Sequence, residues 1–171
     1  MTPARVLVAD PPWKFGDALG KRGAVAQYPC MDVEQIAIFE LPPLADDCYL
    51  FLWRVASMQL EAFQVAQQWG FTIKTELVWR KLTRHGRPHF GMGRHLRASH
   101  ETCLVAVRGK PKPYSHSIRS VFDAQVGRHS EKPDAFYQLV EQFSEGPYVE
   151  LFARKRRKGW IQMGDELEVA A

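Results

Sequence analysis

Asp10, Pro11, Pro12 and Trp13 stand in a row directly after the apolar run Val6–Ala9. An ionised aspartate only accepts hydrogen bonds. Each proline fixes its own φ and lacks an N–H, and Pro11 also restricts Asp10 to an extended shape. The turn is therefore rigid, and its carbonyls are expected to find no N–H from the same turn. A carboxylate, a carbonyl acceptor and an aromatic face held this close suit a planar base with an exocyclic amine. The amine of adenine has two N–H donors and a conjugated, weakly nucleophilic lone pair. Accepting both protons returns electron density to the nitrogen and orients the lone pair toward an electrophile. Trp13 would stack on the ring, a contact worth about 1–3 kcal/mol per base. No nucleophile motif of the GxSxG kind lies nearby, so the chemistry would be positioning and polarisation for direct attack. The alternative reading of the same residues is a plain turn with Trp13 as a lid on the core.

Charge gives the second chemical signal. The net charge is only +4, yet no acidic residue occurs from Leu77 to His100. That window holds Arg80, Lys81, Arg84, Arg87, Arg94 and Arg97, with His85, His89, His95 and His100 among them. A further run, RKRRK, covers Arg154 to Lys158. One-signed segments in a balanced chain point to a polyanionic partner. Gly91-Met92-Gly93 sits inside the first basic window and lacks the strand-to-helix context of a dinucleotide fingerprint. Cys30, Cys48 and Cys103 are odd in number, far apart and without metal-ligand spacing, so they read as reduced thiols and no metal is expected.

The elements that must position these residues are legible as apolar runs bounded by turn residues. RVLVAD reads as a strand buried on both faces, ending at Asp10. Asp32 is expected to cap a helix, with Gln35 completing a capping box. CYLFLWRV is the next buried strand; Ser57 then caps a helix to Trp69, and Gly70 stops it. FTIKTELVW and TCLVAV are further strands. A last helix covers about Pro133 to Phe143, before the strands YVELFA and GWIQM. Strands separated by helices imply an α/β, three-layer arrangement with a mostly parallel sheet. Residues 14–27 and 82–97 lack periodicity and read as long functional loops.

At 171 residues the chain is expected to form one domain, 1–171. No apolar run approaches the length needed to span a bilayer, so no membrane partner is expected. The first residues are too short an apolar stretch for a signal peptide, and the chain reads as cytoplasmic.

DPPW at the first strand end resembles the adenine-N6 methyltransferase family named after the seventy-kilodalton subunit of the messenger-RNA adenosine methyltransferase, which includes bacterial and phage DNA relatives. YPCM (Tyr28–Met31) is similar to the family's Tyr-Pro-Thr-Met. FLW, WGF, GMGRHLRASHE, HSEKPD and VELFARKRRKGWIQMGDE follow in family order over nearly the whole chain. The resemblance implies a Rossmann-like S-adenosylmethionine methyltransferase fold in permuted motif order, catalytic strand first. It implies Asp10, Pro11, Pro12 and Trp13 as the catalytic motif. By the same resemblance Asp10, Lys132, Glu150, Phe152, Arg154, Arg157, Asp165 and Glu166 line an S-adenosylmethionine pocket, with Lys132 free to pair with the cofactor's carboxylate. Trp13, Tyr28, Arg84, Arg87, Arg94, His95 and Arg97 would contact the substrate, with Arg97 and Glu101 a structural pair beside the cleft. His100 and His129 read as structural hydrogen-bonding residues.

The sequence departs from the family where Arg94 and His95 replace an aromatic pair and Met163 replaces a second tryptophan. The implied reaction is methyl transfer to adenine N6 in nucleic acid, DNA in preference to RNA, with a duplex base extruded first. A chain this small suggests weak sequence selectivity, or a homodimer or partner subunit for target recognition. The alternatives are a catalytically silent nucleic-acid-binding subunit, an RNA adenine methyltransferase, or a protein-amide methyltransferase, which typically has Asn-Pro-Pro-Tyr.

Overall fold

The computed structural model describes residues 2–14, 30–93, 95–127 and 131–164. Strand β1 (Ala4–Ala9) is buried along its length except at Arg5. Its side chains alternate between two cores: Leu7 and Ala9 face one, Val6 and Val8 the other. Strand β2 (Leu44–Arg54) does the same, with Cys48, Leu50 and Leu52 on the first side and Tyr49, Phe51 and Trp53 on the second. A strand buried on both faces needs helices on both sides, and the fold supplies them.

Helices α1 (Val33–Ala37) and α2 (Gln59–Gln68) cover the first face through Ile36, Ala62, Val65 and Ala66. Helix α3 (Asp134–Phe143) covers the second through Phe136 and Val140. The Asp32 amide donates to Gln35 Oε1 at 2.8 Å, as the capping-box spacing implies. Helix α2 differs from expectation. Its N-cap is Met58 rather than Ser57, with no side-chain cap bond, because the buried Met58 side chain sets the entry of the chain by packing into the core. Gly70 has φ +83°, a conformation that glycine adopts without strain. The Trp69 indole N–H, donating to Ile36 O at 3.1 Å, ties the end of α2 to α1.

The seven-stranded sheet adds β3 (Thr72–Leu82), β4 (His100–Arg108), β5 (Val121–Gln125), β6 (Tyr148–Leu151) and β7 (Trp160–Met163), in the order β5-β3-β4-β2-β1-β6-β7. Pairing is parallel except on both sides of β4, which runs antiparallel to β2 and β3. No helix separates β3 from β4, so no crossover returns the chain to its starting edge. Strand β5 was not expected from the sequence. Its residues alternate between exposed and half-buried at a sheet edge, so VFDAQ carries no buried apolar run. Cys48 and Cys103 are buried thiols on β2 and β4. Burial pushes the Cys48 pKa to about 12, leaving an inert, protonated side chain.

This topology decides where function can sit. The parallel strands all finish at one edge, and β4, being reversed, begins there. Asp10, Arg54, Leu82, His100 and Phe152 are therefore gathered along a single rim, where open α/β sheets bind ligands.

Candidate active site

Asp10 directly follows β1 at that rim, and the prolines turn the chain away from the sheet. The carbonyls of this turn are engaged, contrary to expectation. Pro11 O accepts the Trp13 amide at 2.8 Å, and Pro12 O accepts the Met31 amide at 2.8 Å. The Lys14 amide returns a bond to Met31 O at 3.1 Å. The residues just before α1 thus pin the turn from outside. A carbonyl has two lone pairs, so Pro11 O retains one acceptor position.

Trp13 also departs from expectation. Its side chain is only 4% exposed and packs into the core on the α1/α2 face. Its indole N–H donates to Trp53 O at 2.9 Å. An aromatic ring already enclosed by apolar neighbours offers no face to a base. The core-lid alternative describes its place in the structure.

Around Asp10, on the α3 face of the sheet, lies a row of alternating charges. Lys132 Nζ donates to Asp10 Oδ2 at 2.6 Å and lies 3.2 Å from Glu101 Oε2. Lys81 pairs with the other oxygen of Glu101. Two tryptophans form the floor: Lys132 sits 5.0 Å from the Trp53 ring centroid and Lys81 5.0 Å from that of Trp79. The Lys132 side chain is 8% exposed, so this ammonium depends on its partners. Burial alone would push its pKa down, yet Asp10 and Glu101 hold it above the ordinary lysine value. Two sequence expectations are corrected here. Lys132 faces two carboxylates of its own chain rather than standing free for a ligand's carboxylate. Glu101 pairs with Lys81 and Lys132, whereas Arg97 donates to Gly93 O at 3.2 Å and lies over Phe90.

Burial alone would likewise raise the Glu101 carboxyl, but the ammonium groups of Lys132 and Lys81 more than offset it. The carboxyl is held below its ordinary value of 4.5. A carboxylate whose pKa is lower folded than unfolded stabilises the fold at higher pH, and that gain is lost as pH falls through the folded value. The stability difference between wild type and Glu101→Gln is therefore expected to be full at neutral pH. It should close as pH drops below 4.5, read from denaturant midpoints.

Beside Asp10, toward β6 and α3, lies an open, shallow pocket with about 60 Å³ of enclosed space. Asp10, Lys132, Glu150, Phe152, Arg154 and Arg157 all line it. Glu150, on β6, is 4% exposed and accepts bonds from Tyr137 Oη and Gln162 Nε2, each at 2.7 Å. Burial raises its carboxyl above the ordinary range, and those two donors only partly reverse the shift. Burial, with Glu150 alongside, also raises the Tyr137 phenol far above its usual value, so it remains a donor. Phe152 adopts φ +60°, a left-handed conformation rare for a bulky residue, directly after β6. Its ring packs 4.8 Å from Phe39. Arg157 holds Glu141 with two bonds of 2.9 and 3.0 Å and lies over the Tyr137 ring, so its guanidinium braces the pocket wall.

Glu131, Asp134 and Tyr137 also line the pocket and Gln162 bonds Glu150; the sequence singles out none of them, although Glu131, Asp134 and Gln162 fall inside the quoted motifs. A usable signal existed in α3. Phe136 and Val140 mark its core face, which leaves Asp134, Tyr137 and Glu141, at helical spacing, on another.

Arg84, Arg87, His95 and Arg97 are exposed between β3 and β4, at the same rim as Asp10. The loop is drawn tight: the Gly91 amide bonds Ala98 O at 3.0 Å, and a Cβ at Gly91 or Gly93 would collide with the backbone opposite. The paired glycines thus serve loop closure. Phe90, Met92 and Leu96 project from this loop with 75%, 96% and 86% of their surface exposed. Tyr28, Arg94, His129, Asp165 and Glu166 lie outside the described residues.

A family model described as MT-A70 matches residues 4–166. The chain belongs to the MT-A70 family. The reaction class expected from the sequence, adenine-N6 methyl transfer, follows from that membership. Among curated relatives, the type II methyltransferase M.MunI of a Mycoplasma species is 30% identical, over 95% of this chain and 77% of that protein. The human N(6)-adenosine-methyltransferase catalytic subunit METTL3 is also 30% identical, over 95% of this chain but 28% of its own length. The MT-A70-like protein of Drosophila melanogaster is 30% identical over 95% of this chain and 27% of its own length. The chain thus spans most of M.MunI and only about a quarter of the longer MT-A70 proteins.

Proposed function

We propose that this MT-A70 chain uses S-adenosylmethionine to methylate the N6 amine of adenine in DNA, on a base extruded from the duplex. The observation that carries this reading is the position of Asp10. It stands at one rim between a pocket lined by Glu150, Phe152 and Arg154 and a loop rich in arginine and free of acid.

The residues of the pocket fit S-adenosylmethionine by their chemistry. Glu150 supplies a buried acceptor for hydroxyl or ammonium groups, and Phe152 an aromatic surface. Arg154, which lines the pocket, suits the ligand's carboxylate. When bound, the cofactor supplies an electrophilic methyl group. Lys132 occupies Oδ2 of Asp10, so recognition of the target amine falls to Oδ1, helped by the remaining lone pair of Pro11 O. Those acceptors orient the amine's lone pair, and Oδ1 is also placed to hold the proton that the methylated amine sheds.

The loop between β3 and β4 supports a nucleic-acid substrate. Its arginines suit phosphates, and its exposed Phe90, Met92 and Leu96 suit packing against bases or sugars. Neutralising Arg84, Arg87 and Arg94 together is expected to weaken DNA binding. The slope of log affinity against log salt should flatten by about 0.9 for each duplex phosphate that is no longer neutralised. An unchanged slope would place the substrate elsewhere.

The function is tested by transfer of a labelled methyl group. Label is expected in N6-methyladenine recovered from duplex DNA, with less in RNA and none in protein. Label in RNA alone would replace DNA as the substrate. No label in any of the three, despite cofactor binding, would favour a silent subunit.

A further inference from the structure

We infer that Glu101 is a positioning residue for methyl transfer: it holds the Lys132 ammonium off Oδ1 of Asp10 and so leaves that oxygen open to the target amine. This inference rests on the assignment of Asp10 as the amine's acceptor. A lysine stem is flexible, and its ammonium has three donors that can rotate freely. A single carboxylate does not fix such a group, which can slide to bridge both oxygens of its partner. Here the ammonium is held from three sides: by Asp10 Oδ2 at 2.6 Å, by Glu101 Oε2 at 3.2 Å and by the Trp53 ring beneath at 5.0 Å. These restraints come from separate strands. Asp10 follows β1, Trp53 is on β2 and Glu101 on β4, so the sheet itself sets the spacing.

Glu101 is in turn fixed by Lys81 on β3, which meets its other oxygen. Trp79, opposite Glu101 in the β3–β4 register, lies under Lys81. The chain of charges therefore runs from β3 to β1 with each cation between acids or over a ring. Without Glu101, Asp10 is the one carboxylate among the described residues left in ion-pair contact with Lys132, which closes on it. The amine would then compete with an ammonium for both oxygens.

The test is a double-mutant cycle on the full chain. Glu101→Gln is expected to lower kcat on the order of 10²-fold, as small misplacements at a reacting centre do, with the cofactor's Kd changed only a few-fold. Because Glu101 acts through Lys132, the same substitution made in a Lys132→Met background should lower kcat no further. That double variant removes one charge of each sign, which protects the fold. A purely structural Glu101 would lower kcat equally in both backgrounds, and that outcome overturns the inference. A second reading is the 15N ammonium resonance of Lys132 in the cofactor-free protein. It should be visible through slow exchange in wild type and vanish in Glu101→Gln; persistence in the variant counts against the clamp. A wild type that transfers no methyl to adenine removes the functional reading and this inference together. An active wild type with equal effects in the cycle removes this inference alone.

Discussion

Asp10→Asn is expected to abolish measurable methyl transfer while the chain still binds S-adenosylmethionine. The substitution keeps the shape of the side chain and removes its charge. It also places an amide N–H₂, a donor, where the target amine needs an acceptor. Removing one preorganised electrostatic partner at a reacting centre reduces kcat by about 10²–10³-fold; a group that also orients the nucleophile should lie at or beyond the upper end. The pocket proposed for the cofactor retains Glu150, Phe152 and Arg154, so the cofactor's Kd should move only a few-fold. Lys132 keeps Glu101 as a partner, which limits the penalty of breaking the ion pair. Initial rates with labelled donor, calorimetry for cofactor binding and a thermal melt for folding measure the three quantities separately. Turnover within tenfold of wild type would mean that another residue receives the amine.

The sequence made some of this site readable and concealed the rest, for physical reasons. Strands β1 and β2 contain stretches buried on both faces, Val6–Ala9 and Cys48–Trp53, that stand out as apolar runs, and the end of the first marks the rim where Asp10 stands. Glu150 is an acid inside the short buried strand β6, a placement that the family resemblance already implied. Strand β5 has only one half-buried face and gave no signal. The partners of Lys132 were hidden because Asp10 and Glu101 are distant along the chain and meet it only once β4 lies reversed between β2 and β3. The turn carbonyls show the same limit. Proline chemistry fixes the local shape of residues 10–13, but the amide that takes Pro12 O comes from Met31.

Residue type gave Trp13 an aromatic face, but only packing could say what that face meets, and the consequences are large. Trp13→Ala is expected to destabilise the fold by about 3–5 kcal/mol, the usual range for deleting a buried large aromatic side chain. It removes a ring that is 4% exposed and leaves Trp53 O without its indole donor. Trp13→Phe keeps most of the apolar volume but has no indole N–H, so about 1–3 kcal/mol is expected from the unsatisfied carbonyl. Urea midpoints at constant m-value give both numbers. A tryptophan that served only to stack on the base would behave otherwise: its removal would leave the midpoint in place and raise KM for the nucleic acid. The two roles therefore separate on stability alone, before any substrate is added. Activity adds a second discrimination, since the carbonyl that Trp13 holds belongs to Trp53, whose ring lies under the Lys132 ammonium. Trp13→Phe should accordingly lower kcat more than it raises KM, because a shifted Trp53 misplaces Lys132 and, through it, Asp10.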